Sequence, residues 1–296
     1  MTNSLLWKNP SITCLGDRLL DTMLISTYAK IFDANVYFPW IDCPFTIGQE
    51  TPKYDYKNGE QRSWSKVRFE DYKFENFTQY FSLPKNVKIN ESCNPTLFFD
   101  DILGGCTSPK LFWEKYLINI CDYTTFIEIF KSTVEEFKPT EKLNKIVNGV
   151  KKPKVSIHLR RTDKINVAGD YSTFMTFEGL DNLDSMTKDA IDIFYNEKDN
   201  FYFSSDDNEV RLKYENNYKN HIDHNFNCTD VEKTYVDLYM LSISDYIILS
   251  QVHSNFSVFA SYLNNSKLVY LYDNCLIVTQ KFNESDNFIH YKQIVL

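Results

Sequence analysis

The chain alternates short apolar runs with longer segments whose apolar residues return every three or four positions. The pattern is clearest in the second half. There Val155–Leu159 reads as a strand, residues 186–195 as a helix and residues 200–204 as a strand ending in S-S-D-D. Helices follow at 208–218 and 234–242, a buried-type strand at 245–249, a loop at 250–255, a helix at 256–263 and a further strand at Lys267–Tyr272. Strands rich in Val, Ile and Tyr that take turns with helices predict a mostly parallel sheet.

The first half opens in a similar way. Residues 11–17, S-I-T-C-L-G-D, read as a strand and a turn in which Gly16 relieves crowding. Leu19, Leu20, Met23, Leu24, Tyr28 and Ile31 then recur at helical spacing over 18–32. Residues 34–40 read as a second strand, interrupted by Pro39. Residues 44–95 predict irregular structure with a short strand at Val87–Ile89, and 100–109 a turn-rich break. Residues 110–137 predict one or two helices, and 138–154, with two prolines and several lysines, a crossover. The expected architecture is α/β, with two Rossmann-like domains facing a cleft, residues 1–150 and residues 151–296.

Composition narrows the partners. A net charge of -8 lacks the positive footprint of a nucleic-acid binder, although a local arginine pair still suits a phosphate ligand. Apolar residues make up 43% of the 296, enough for a packed core. The cysteines at 14, 43, 93, 106, 121, 228 and 275 form no C-x-x-C pair and no zinc-like spacing with the histidines, so no metal or disulfide framework is expected. With neither an apolar leader nor a bilayer-length apolar run, the expected location is cytoplasmic, which is compatible with peripheral association at a membrane face.

The densest chemistry is V-S-I-H-L-R-R-T-D-K, residues 155–164. A strand here delivers a histidine, two arginines, an aspartate and a lysine to the carboxyl edge of a sheet, where open α/β folds hold ligands. Guanidinium forks grip two phosphate oxygens at once. Alternation puts His158 and Arg160 on one face and Arg161 on the other. Asp163 reads equally as a base or as an arginine clamp, and Asp170 is the next carboxylate along the chain. Downstream, Ser204 to Asp207 read either as a helix cap or as a nucleotide contact, with Asp206 the better candidate. Asp237 stands in D-L-Y-M-L-S-I-S-D, where Asp245 reads as structural. H-S-N-F-S, residues 253–257, places small polar side chains before a helix, as a phosphate nest or as plain caps.

These segments resemble the GDP-fucose-dependent fucosyltransferases of the α-1,2, α-1,6 and peptide-O groups. H-L-R-R-T-D-K is similar to the H-x-R-R-T-D-K of the α-1,6 enzymes; S-D-D, D-L-x-x-L-S and S-N-F-S follow in the family's order, over roughly residues 155–263. Val258 and Phe259 depart from the tryptophans of the α-1,2 group. The resemblance implies a GT-B-like fold and an inverting transfer of fucose from GDP-fucose to a glycan hydroxyl, without a metal or other cofactor. It implies donor contacts from His158, Arg160, Arg161, Lys164, Asp206, Asp237, His253, Ser254, Asn255 and Ser257. In this reading Arg160 stabilises the leaving group and Asp237 the base of the nucleotide. The base for the acceptor hydroxyl stays open among Asp163, Asp170 and Asp17, the last in C-L-G-D-R-L near the N-terminus. Also open are another GDP- or UDP-sugar as donor, and a non-catalytic nucleotide- or glycan-binding role. Trp40, Asp42 and Trp64 are candidate sugar-side residues, with packing as the alternative. Residues 41–110 match no motif, so the acceptor is not legible.

Overall fold

The computed structural model describes residues 3–10, 15–40, 52–55, 60–63, 74–103, 108–159, 177–196, 198–205, 207–223, 225–250, 254–272, 275–280 and 285–289. In chain order the elements are β1 (Asn3–Trp7), α1 (Leu15–Ile31), β2 (Ala34–Phe38), β3 (Pro52–Asp55), β4 (Glu60–Ser63), α2 (Phe74–Tyr80), β5 (Val87–Ile89), β6 (Leu97–Phe99), α3 (Pro109–Tyr116), α4 (Tyr123–Val134) and α5 (Glu141–Ile146). Then come β7 (Val155–Leu159), α6 (Phe177–Phe194), β8 (Phe201–Ser205), α7 (Asn208–Glu215), α8 (Asp230–Ile243), β9 (Tyr246–Leu249), α9 (Asn255–Leu263), β10 (Lys267–Tyr272), β11 (Cys275–Gln280) and β12 (Ser285–Ile289). They form two compact units, one of Met1–Gly48 with Phe69–Lys145, the other of Gln49–Arg68 with Ile146–Leu296.

The first unit is built on a parallel sheet of order β5-β2-β1-β6. Its first described strand is N-S-L-L-W, with Leu5 and Trp7 buried; residues 11–14 of the strand and turn expected at 11–17 lie outside the described residues. The end of that stretch, Leu15, Gly16 and Asp17, belongs to α1 instead of a turn, and Leu15, Leu19 and Met23 are buried along one side of the helix. Asp17 lies in the first turn of that helix, where a carboxylate is favoured by the dipole. Arg18 is buried, with its guanidinium 5.0 Å from the ring centroid of Trp40. The expected helical region at 110–137 is two helices, with Ser108 capping α3 and Asp122 capping α4. The crossover itself contains α5.

The second unit holds a six-stranded sheet of order β12-β11-β10-β9-β7-β8. Its strands β8, β7, β9 and β10 are parallel, and the antiparallel hairpin β11–β12 closes one edge. That hairpin was not legible as an element in the chain. The register pairs Val155 with Phe201, Ile157 with Phe203 and His158 with Ser204. One face of β7 and β8 is thus apolar up to Ser205 at its end, and Val155, Ile157, Leu159, Phe201 and Phe203 pack there with Ala190, Ile191 and Tyr214. The other face carries Ser156, His158, Tyr202 and Ser204, all buried. It faces α8, because the Ser156 hydroxyl donates to the Met240 carbonyl at 3.3 Å.

The apolar face should hold most of this unit's stability. Phe203 is fully buried in it, so Phe203→Ala should cost about 3–5 kcal/mol by lost burial and cavity formation. Urea unfolding followed by circular dichroism measures this; a loss below about 1 kcal/mol would contradict the packing described.

Candidate functional site

The polar face of β7 and β8 ends at the carboxyl edge of the second sheet. His158 is the last but one residue of β7 and is 7% exposed, so its ring must be satisfied from within. Its Nδ1 lies 2.6 Å from Ser257 Oγ and 3.2 Å from Ser254 Oγ. Its ring also packs against Phe256, centroid to centroid 5.7 Å. Its carbonyl accepts from the hydroxyl of Ser250 at 2.8 Å and from that residue's N–H at 3.2 Å. One residue therefore ties the end of β7 to the end of β9 and to the first turn of α9.

The two caps at this edge behave differently. Asp207 caps α7, its Oδ1 accepting from the N–H groups of Glu209 and Val210 at 2.9 and 3.3 Å. Ser205 supports it, accepting from the Asp207 N–H at 3.0 Å while donating to the Leu159 carbonyl at 2.7 Å. Ser254 occupies the same position before α9 but makes no side-chain capping bond, and its hydroxyl faces His158 instead. The positive end of α9 is thus lined by hydroxyls that the helix does not itself consume, an arrangement suited to anionic oxygens.

The third component is Asp237 on α8. It is buried, and its carboxylate accepts from the hydroxyl of Tyr202 and, at 3.1 Å, from that of Ser204. Burial pushes its carboxyl above the ordinary 3.8, against the opposing pull of the Lys233 ammonium and the two hydroxyls. Burial and the same carboxylate push the Tyr202 phenol well up, so Tyr202 stays a donor. Two hydroxyls occupy only about half of a carboxylate's four acceptor directions. Asp237 can therefore still accept from a ligand bearing paired N–H donors.

Of the residues expected at the site, His158, Asp237, Ser254 and Ser257 gather at or beneath this edge, and Asn255 opens α9 beside them. Asp17 belongs to the first unit. Arg160, Arg161, Asp163, Lys164, Asp170, Asp206 and His253, with Asp42 and Trp64, lie outside the described residues. Asp245 is structural as expected, held by Lys152 and Lys154. Tyr202 and Ser250 were missed, and Ser205 was read only as part of the S-S-D-D segment. Tyr202 had a signal: it shares a strand face with Ser204, two residues on. Among the described residues no group of three His, Cys, Asp or Glu is placed to hold a metal ion, and no helix is long and apolar enough to cross a membrane.

The two sheets and their helices can be compared as a whole with solved structures. The fucosyltransferase NodZ from Bradyrhizobium aligns over 95% of this chain and 99% of its own, with a TM-score of 0.52 and 11% identity. The chain has a GT-B-like fold. NodZ α-1,6-fucosyltransferase soaked with GDP-fucose aligns over 98% of this chain and 99% of its own, with a TM-score of 0.50 and 12% identity. No protein-family model matches the chain, and no curated protein matches it in sequence. At such identity the likeness establishes the GT-B-like fold, in agreement with the two Rossmann-like units expected from the sequence.

Asp237 gives the site a pH signature. Its folded carboxyl holds its proton more tightly than the unfolded one, so the folded state binds more protons above the ordinary 3.8. Stability from this group is then greatest in acid and falls as the pH rises through its folded value. Asp237→Asn should flatten that fall in urea titrations from pH 4 upward. An unaltered pH profile in the variant would show that Asp237 is not held in this way.

Proposed function

We propose that the chain is a nucleotide-sugar-dependent glycosyltransferase, and more narrowly an inverting fucosyltransferase that moves fucose from GDP-fucose to a hydroxyl of a glycan. The observation that carries this reading is Ser254, whose hydroxyl is withheld from capping α9 and set beside those of Ser257 and His158's ring at the carboxyl edge of the second sheet. A diphosphate is the ligand such a helix end favours. Asp237 supports a guanine, whose N1–H and exocyclic amine are paired donors for one carboxylate. The fold shared with NodZ, a structure of which was soaked with GDP-fucose, supports the choice of donor.

In this mechanism the acceptor oxygen attacks the anomeric carbon of the donor from the face opposite GDP. The bond from that carbon to the β-phosphate oxygen breaks, GDP leaves with the electron pair, and the sugar configuration inverts. Arg160, Arg161 and Lys164, which follow β7 in the sequence, neutralise the diphosphate with the hydroxyls of α9, with Arg160 acting on the leaving oxygen. Asp206, Asn255 and His253 add donor contacts. The acceptor proton goes to a carboxylate, for which Asp163, Asp170 and Asp17 are the proposed candidates. Positive side chains and a helix end fill the role a divalent ion takes elsewhere, so turnover does not need one.

Three measurements test this. Calorimetry should show saturable GDP binding, with UDP weaker, and Ser254→Ala with Ser257→Ala should weaken GDP by roughly tenfold; UDP preferred over GDP would remove guanine recognition and fucose transfer together. Arg160→Ala should lower kcat by about 10²-fold or more at unchanged fold, and near wild-type turnover would end its assigned role. Transfer from GDP-fucose should persist in EDTA, whereas strict dependence on Mg²⁺ or Mn²⁺ would overturn the metal-independent mechanism.

A further inference from the structure

The opposite edge of the same sheet holds a second cluster of charge. The parallel strands β10, β9 and β7 begin side by side, and the segments that enter them surround an open groove of about 570 Å³. The three segments are stitched together by backbone bonds, from the N–H groups of Asp245 and Tyr246 to the Lys154 carbonyl at 3.2 Å each, and from the Lys267 N–H to the Asp245 carbonyl at 2.9 Å. This brings Lys152, Lys154 and Lys267 to one groove around Asp245 and Tyr246.

The charges there do not balance. Lys152 Nζ lies 2.6 Å from one Asp245 oxygen and Lys154 Nζ 2.8 Å from the other. Their pull holds the Asp245 carboxyl below its ordinary value, so it stays ionised. Lys267 makes no ion pair among the described residues, and its ammonium sits 5.2 Å from the centroid of the Tyr246 ring, with that of Lys154 at 5.9 Å. Asp199 adds a weaker pull on Lys154, behind that of Asp245. Three ammonium groups thus face one carboxylate in a groove, on a chain whose net charge is -8. The lysines stay reachable, with side chains of Lys152 and Lys154 63% and 44% exposed.

We propose that this groove is an oxyanion site that takes a phosphate group, at the sheet edge opposite the proposed donor site. A phosphate monoester carries nearly two negative charges near neutral pH, which matches the excess of two positive charges. Ammonium groups act as point charges and converge on a tetrahedral dianion from several directions, as lysines entering β7 and β10 on either side of β9 do here. The same chemistry is offered by soluble phosphate and by the headgroup of an anionic phospholipid.

The test uses the full chain labelled with fluorotyrosine, with the Tyr246 signal assigned through Tyr246→Phe. That ring reports this groove and not the donor edge. Inorganic phosphate, added at ionic strength fixed with chloride, should shift the signal saturably. Lys267→Gln should weaken the response by roughly tenfold, and Lys152→Gln, also at the surface, should act in the same direction. Asp245→Asn removes the single carboxylate and frees two lysines, so it should tighten binding. A merely structural cluster would respond alike to Lys152→Gln and Asp245→Asn, since both break the same ion pair. Absence of a saturable shift, or weakening by Asp245→Asn, would overturn the proposal. Co-sedimentation with phosphatidylcholine vesicles, with and without phosphatidic acid, then separates the sources. Retention on the acidic vesicles that Lys267→Gln abolishes assigns the site to lipid; a phosphate response without retention assigns it to a soluble ligand.

Discussion

Burying a carboxylate without donors is among the most costly things a fold can do, and the second unit is arranged around avoiding it. Asp237 projects from α8 onto the sheet, and the residues beneath it are the two hydroxyls of Tyr202 and Ser204. This works only because β8 is read with period two, which sends Tyr202 and Ser204 to the helix α8 side and Phe201 and Phe203 to the apolar core. A slip of one residue would bury Asp237 against phenylalanine rings. The same register sets Ser204 opposite His158 on β7, and His158 in turn needs partners, which it finds on α9. One satisfied polar face therefore fixes the relation of β8, β7, α8 and α9.

Parallel topology then gives the sheet two chemically different edges. At the carboxyl edge the chain leaves the strands through Ser205, Asp207 and Ser250, and helix N-termini point back with their partial positive charge. Anionic oxygens are favoured there by dipoles and hydroxyls. At the amino edge the chain enters through Lys152, Lys154 and Lys267, and the charge is carried by ammonium groups on long side chains. The first edge is built from short, buried side chains that can be pre-organised for a reaction. The second is built from long, solvated ones, which suit attachment better than chemistry.

The sequence was most legible where the alternation was strict. V-S-I-H-L announced both its strand and the position of His158, because each face demands a different residue type. Asp237 stood out through its place in D-L-Y-M-L-S. Tyr202 did not, being one of 20 tyrosines marked locally by no more than a strand face shared with Ser204; its role depends on a residue 35 positions away. Ser254 and Asp207 are equally good caps by type, and only the placement of His158 decides that one is spent on its helix and the other is not. The strand Asn3–Trp7 was not read from the chain, and Gly16, expected in a turn, lies in the first turn of α1. The hairpin β11–β12 takes its place from pairing with β10, a long-range preference that local pattern does not carry.

The central claim is that the carboxyl edge of the second sheet, and α9 in particular, receives the nucleotide. A crystal structure of the chain with GDP tests it most directly. The account predicts diphosphate density within hydrogen-bonding distance of Ser254, Ser257 or the first N–H groups of α9, with the guanine directed toward Asp237. Nucleotide bound elsewhere, with α9 unoccupied, would contradict it.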